Sequence, residues 1–201
     1  MLRAGLTGGL ATGKSFVGKC LADLGCKLLK ADEIGHGLLQ PGGAAYPAVV
    51  DAFGPEILDA EGSIDRRILG GIVFQDPAKL AQLNALVHPA VVIREEEWIE
   101  ETRRTDPGAI AVVEAAILIE TGSYKRFDTI ILTVCSREQQ IERAMKRDGL
   151  SRDEVLDRIS RQMPLDEKRK YAQYVIDTSG EKEMTVRQVR DLYDALRRQQ
   201  P

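Results

Sequence analysis

The chain has 201 residues, a size that suits one compact domain with insertions and that can bury a sizeable core. Its 28 Lys/Arg and 31 Asp/Glu leave a net charge of −3, which gives no basic footprint for nucleic acid or a membrane surface. No apolar run approaches the ~18 residues of a membrane span, the first fifteen residues do not read as a signal peptide, and three cysteines without a C-x-x-C favour neither a disulfide framework nor a zinc site; a cytoplasmic location is expected.

Residues 2–7 are a short, largely apolar run, read as a buried first strand. Gly8-Gly9-Leu10-Ala11-Thr12-Gly13-Lys14-Ser15 follows and fits G-x-x-x-x-G-K-[ST], a phosphate-cradling P-loop. Phe16, Val17, Cys20, Leu21 and Leu24 then recur at helical spacing, so a helix begins near Lys14. A strand, a glycine loop and a helix N-terminus bring backbone N–H groups and a positive dipole end to one point, where polyphosphate is the natural ligand. Lys14 then reaches the β- and γ-phosphates, and the Ser15 hydroxyl ligates Mg²⁺. The triphosphate site is placed at Gly8, Gly9, Ala11, Thr12, Gly13, Lys14, Ser15 and Phe16. So short a pattern also arises by chance, but the strand before it and the helix after it weigh against that.

Gly25 reads as the stop of the first helix and residues 26–31 as a second strand, with Asp32 at its carboxyl end, where open parallel sheets bind ligands. Residues 32–107 are helical in pattern, broken at Pro41-Gly42-Gly43, Gly54-Pro55, Glu61-Gly62-Ser63 and Asp76-Pro77. Four or five helices fit, the last over 78–104. Residues 109–113 and 129–134 are apolar without alternation, as in strands covered on both faces; the first ends at Glu114, a position suited to a Mg²⁺ contact. Residues 174–177 give a last strand and 185–198 a closing helix. Alternating strands and helices argue for a doubly wound α/β fold, a five-stranded parallel sheet flanked by helices.

Residues 137–171 hold ten Lys/Arg against eight Asp/Glu. Ser151 and Glu154 stand at capping-box spacing, and Met163-Pro164 opens a further helix. Beside a P-loop, such a segment reads either as a lid closing over phosphates or as a static, solvated hairpin. Arg143 and Arg147 lie four apart on one helix face. As catalytic candidates, one neutralises the migrating phosphoryl group and the other lies over adenine; surface pairing to Glu142, Asp148 or Asp153 is the alternative.

With these parts placed, the chain resembles the dephospho-coenzyme A kinases nearly end to end. The motifs are Leu6-Thr7-Gly8-Gly9 leading to Thr12-Gly13-Lys14-Ser15, Ala31-Asp32, the run from Gly62 to Leu69, Leu86-Val87-His88-Pro89, Ile117-Leu118-Ile119-Glu120, the run from Arg143 to Asp148, and Tyr174-Val175-Ile176-Asp177. The resemblance implies a P-loop kinase that phosphorylates the ribose 3′-hydroxyl of dephospho-CoA with ATP and Mg²⁺, the last step of coenzyme A synthesis. It implies a nucleotide-binding core at 1–32, 108–136 and 172–201, a helical dephospho-CoA-binding subdomain at 33–107 and a lid at 137–171. It makes Asp32 the base accepting the hydroxyl proton, with Lys14, Arg143 and Arg147 completing the catalytic set. Asp32, Arg66, Arg67, His88 and Glu120 fall to the acceptor, arginines being suited to a pyrophosphate by their planar fork, and Ser15 and Glu114 to the metal. The blander alternatives are a helix N-cap for Asp32, a helix-end histidine for His88 and a helix-side carboxylate for Glu120.

Many relatives carry Asp-x-Pro-Leu-Leu where this chain has Glu114-Ala115-Ala116-Ile117-Leu118, and Asn where Thr178 stands. Expected partners are the two small-molecule substrates, with no nucleic acid or membrane, in a monomer or small homo-oligomer. The rival readings are another P-loop kinase, acting on a nucleoside, nucleotide or sugar, and a non-catalytic nucleotide-dependent regulatory module. The N-K-x-D of a guanine site does not occur.

Overall fold

The fold comes from a computed structural model that describes residues 1–200. Strands β1 (Leu2–Gly8), β2 (Lys27–Lys30), β3 (Ile110–Glu114), β4 (Thr129–Val134) and β5 (Tyr174–Asp177) form one parallel sheet in the order β2-β3-β1-β4-β5. The helices are α1 (Lys14–Asp23), α2 (Ala31–Leu38), α3 (Tyr46–Phe53), α4 (Arg66–Val73), α5 (Pro77–Thr105), α6 (Arg137–Asp148), α7 (Arg152–Ser160), α8 (Leu165–Arg169) and α9 (Lys182–Arg198). The expected parallel α/β sheet is the one observed.

Strand β3 is buried throughout, and β1 and β4 at all but one position each, which is why these runs are apolar without alternation. Val17 and Leu21 of α1 and Val189, Leu192 and Leu196 of α9 join Leu6, Val112 and Ile131 of the sheet in one core. Each such side chain withdrawn from water contributes roughly 1.5–3 kcal/mol. In register, Leu6 stands level with Glu114 and Gly8 with Thr133, so the carboxyl ends of the central strands deliver their last residues to one edge.

Local signals set the helix ends. Ser136 with Gln139, and Ser151 with Glu154, form complete capping boxes at the starts of α6 and α7, and Gly149 ends α6 at φ 68°. Asp65 caps α4 through the N–H groups of Arg67 and Ile68. Helix α5 runs 29 residues and carries Pro89 within it, so His88 lies inside the helix and not at a helix end. Cys20, Cys26 and Cys135 are free thiols, and burial pushes Cys26 up to about 12.

The chain's contacts divide it into two compact units, residues 31–98 and the remainder. The first of these opens with α2, so Asp32 travels with that helix, whereas residues 137–171 belong to the sheet-containing unit. Inside unit 31–98, Val49, Phe53, Ile57, Ile64, Leu69 and Val73 form a separate apolar core.

Candidate functional site

The loop joining β1 to α1 is packed too tightly for side chains at its glycines. A Cβ on Gly8 would lie 2.3 Å from Thr133 Oγ1 and 2.4 Å from Thr12 Oγ1. Gly13 enters α1 at φ 84° with Thr178 against it. Ala11 also takes a positive φ of 55°, which costs a residue with a Cβ roughly 1–2 kcal/mol. Buried hydroxyls tie the loop to the sheet. Thr12 Oγ1 lies 3.0 Å from Gly9 O and 2.8 Å from Thr133 Oγ1, and Thr178 Oγ1 lies 3.0 Å from Thr12 O.

Lys14 Nζ donates to Gly9 O at 3.1 Å. Lys14 and Ser15 occupy the first turn of α1, whose N–H groups a helix cannot satisfy internally and whose dipole end is positive. A cleft of ≈ 300 Å³ is lined by Ala11, Thr12, Gly13, Lys14, Ser15, Phe16, Arg143 and Arg147. The two arginines thus meet the loop in one place. Arg143 donates through Nη1 to Thr178 Oγ1 at 3.0 Å and through Nη2 to Thr178 O at 2.6 Å. Arg147 holds Asp148 with two bonds of 2.7 and 2.9 Å, which draws the Asp148 carboxyl below the usual carboxylate range.

Ser15 Oγ donates to Glu114 Oε1 at 2.7 Å. Glu114 is buried, and its Oε2 has no hydrogen-bond partner. Gly18 on α1 preserves the space beside that oxygen, since a Cβ there would come to 3.1 Å. A buried carboxylate oxygen without a donor, next to a hydroxyl, is a hard-oxygen pair that fits Mg²⁺.

The acceptor candidates divide between the two units. Asp32 occupies the first turn of α2, and His36 lies one turn further on. The His36 imidazole is lowered by partial burial and then by Arg66, against the opposing pull of Asp32 and Glu33, so these side chains share one electrostatic neighbourhood. Arg67 is almost fully exposed, with Nε 3.9 Å from Asp65. Asp32, Arg66, Arg67 and His88 all belong to unit 31–98. Glu120 is in the sheet-containing unit, where Oε1 accepts from Lys168 Nζ at 2.8 Å and from Met163 N–H at 3.1 Å. The same ammonium, fully buried, donates to Ala116 O at 2.8 Å. That carboxylate anchors the segment that follows β3.

Gln140, Gln162, Thr133 and Lys168 escaped the sequence reading. Gln140 Nε2 donates to Leu10 O at 2.7 Å, and Gln162 Oε1 accepts from Leu10 N–H at 2.8 Å. The one available signal was that Gln140 falls beside Ile141 and Ala144 on the buried face of α6.

Residues 2–183 match the family profile described as dephospho-CoA kinase. A dephospho-CoA kinase of Geobacter metallireducens is 43% identical over 189 residues, 94% of each chain. The crystal structure of a Thermus thermophilus protein superposes with a TM-score of 0.82 at 32% identity, over 96% of each chain. A dephospho-CoA kinase from Campylobacter jejuni gives 0.72 at 25% identity, over 98% of this chain and 97% of that one. With a phosphate-binding loop and two arginines lining one cleft, a buried carboxylate bonded to its Ser15, and likeness of this extent, the chain belongs to the dephospho-CoA kinase family.

Proposed function

We propose that this chain transfers the γ-phosphoryl group of ATP to the ribose 3′-hydroxyl of dephospho-CoA, giving coenzyme A and ADP. The observation that carries this reading is the cleft in which the loop, Lys14, Ser15, Arg143 and Arg147 meet; family membership supplies the acceptor. Loop amides and the N-terminus of α1 hold the phosphate chain, and Lys14 replaces its contact with Gly9 O by contacts to β- and γ-oxygens. Ser15 and Glu114 hold Mg²⁺, which when bound neutralises charge on the β- and γ-phosphates. Of Arg143 and Arg147, which line the cleft together, one faces the migrating phosphoryl group and the other lies over adenine. Phosphoryl transfer passes through a loose transition state, so positioning and charge neutralisation carry most of the catalysis.

Asp32 accepts the proton of the attacking hydroxyl. Its support is its place two residues beyond β2, whose last residue Lys30 stands level with Glu114. Arg66, Arg67 and His88 serve the acceptor's pyrophosphate, and residues 137–171 act as a lid. Both substrates are small water-soluble anions, which suits a cytoplasmic enzyme that needs no membrane or nucleic-acid partner.

ADP release with Mg²⁺–ATP, compared across dephospho-CoA, adenosine, AMP and CoA, tests the reading. Turnover with dephospho-CoA alone is expected. Turnover with adenosine or AMP instead would keep the kinase and replace the acceptor. No acceptor-dependent release would favour a nucleotide-dependent regulatory module.

A further inference from the structure

One residue of the phosphate-binding loop, Leu10, has both of its flanking peptide groups held from outside the loop. Leu10 O accepts from Gln140 on α6, and Leu10 N–H donates to Gln162 in the turn after α7. Each amide's orientation is set by its partner, since a carbonyl oxygen only accepts and an N–H only donates. Gln140 is buried, and its Nε2 would be 2.5 Å from a Cβ on Gly9. Leu10 and Ala11 also pack their side chains against Ile141, Ala144 and Val155 of the same two helices. The next residue is Ala11, at its positive φ. A residue with a Cβ keeps that angle only when its surroundings over-determine it.

We propose that Gln140 and Gln162 are positioning residues for phosphoryl transfer. Together they fix the Leu10–Ala11 backbone in the shape that presents the loop to a nucleoside triphosphate. Arg143 lies three residues beyond Gln140 on α6 and lines the same cleft, so one helix sets both the loop and the arginine over it. A movement of α6 that withdraws Arg143 also slackens the loop, and nucleotide affinity is thereby linked to the position of α6 and α7. The proposal rests on the reading that this loop binds ATP.

The two amides work with opposite polarity, and that separates positioning from packing. Gln140→Glu sets a carboxylate oxygen against Leu10 O, whereas Gln162→Glu keeps an acceptor for Leu10 N–H. Both add one negative charge beside Leu10, at a buried position for Gln140→Glu and a partly exposed one for Gln162→Glu, so their ratio reads polarity together with burial, while Gln162→Glu against Gln162→Leu reads polarity at one site. Affinity for Mg²⁺–ATP, titrated calorimetrically on the whole chain, is expected to fall about tenfold or more in Gln140→Leu and Gln162→Leu. Gln140→Glu is expected to bind at least about fivefold more weakly than Gln162→Glu. Equal affinities in the two Glu variants, or wild-type affinity in both Leu variants, would overturn the proposal. Lower stoichiometry at wild-type affinity would assign the glutamines to folding and overturn it equally. If the wild-type chain binds no ATP, the reading of the loop falls, and the proposal with it.

Discussion

Lys14 is drawn onto the loop carbonyls of Gly8 and Gly9, at 3.5 and 3.1 Å, a contact that bound phosphate oxygens outcompete because they carry full charge. Lys14→Ala is therefore expected to lower kcat on the order of 10³-fold; a loss under about tenfold in steady-state assays would remove the lysine from the transition state. Asp32→Asn keeps the shape of the side chain and removes its basicity. It is expected to bind ATP normally in equilibrium titration while single-turnover phosphorylation slows by about 10²–10⁴-fold, and wild-type turnover would leave Asp32 as a helix-start residue only. At this scale the sequence exposed what a backbone loop imposes locally. Gly8, Gly13, Lys14 and Ser15 have fixed spacing because a strand, a turn and a helix start follow one another. It concealed Thr133, Gln140, Gln162 and Lys168, whose partners lie far away along the chain and whose residue types are ordinary on a helix or strand.

Elements were legible where short-range chemistry ends them. The box of Ser151 and Glu154 places the start of α7, and uninterrupted apolar runs place β3 and β4 within a residue. Helix α9 starts at Lys182, three residues before its apolar face begins, because hydrophobic spacing marks the packed stretch and not the solvated first turn. Illegible was the pinning of α8 by one buried lysine, whose ammonium meets Glu120 and Ala116 O. Only the lysine of the pair is fully buried, so removing its exposed partner strands the buried charge. Glu120→Ala is expected to cost about 3–5 kcal/mol in urea unfolding. Lys168→Met combined with Glu120→Leu should recover most of that, because no buried charge is then left without a partner. If the double variant is less stable than the single one, the pair is not acting as a unit.

Over the whole molecule, alternation of strand and helix was enough to foresee a parallel sheet. The limits of the compact unit 31–98 carry no sequence signal, because α2 starts directly after β2 and the other boundary falls within α5, where no break in the sequence marks it. Residues 137–171 reach the loop through side chains at Gln140 and Gln162 and reach the cleft through Arg143 and Arg147. Closing of this segment over substrates is expected to slow amide hydrogen exchange across it when ATP and dephospho-CoA are both bound. Exchange that stays the same with and without substrates would mark it as a fixed part of the scaffold.

The strand order also has a consequence in time. The loop's sequence is made early, yet Thr12 meets Thr133, 121 positions later, and β1 takes its two neighbours from β3 and β4. At the ~5–20 residues per second of synthesis, that wait is roughly 6–24 s. For most of it, until β3 is made, the apolar strand β1 has no neighbour to pair with, which is the exposure that holding chaperones answer. A nascent chain halted before Thr133 carries the motif without the site.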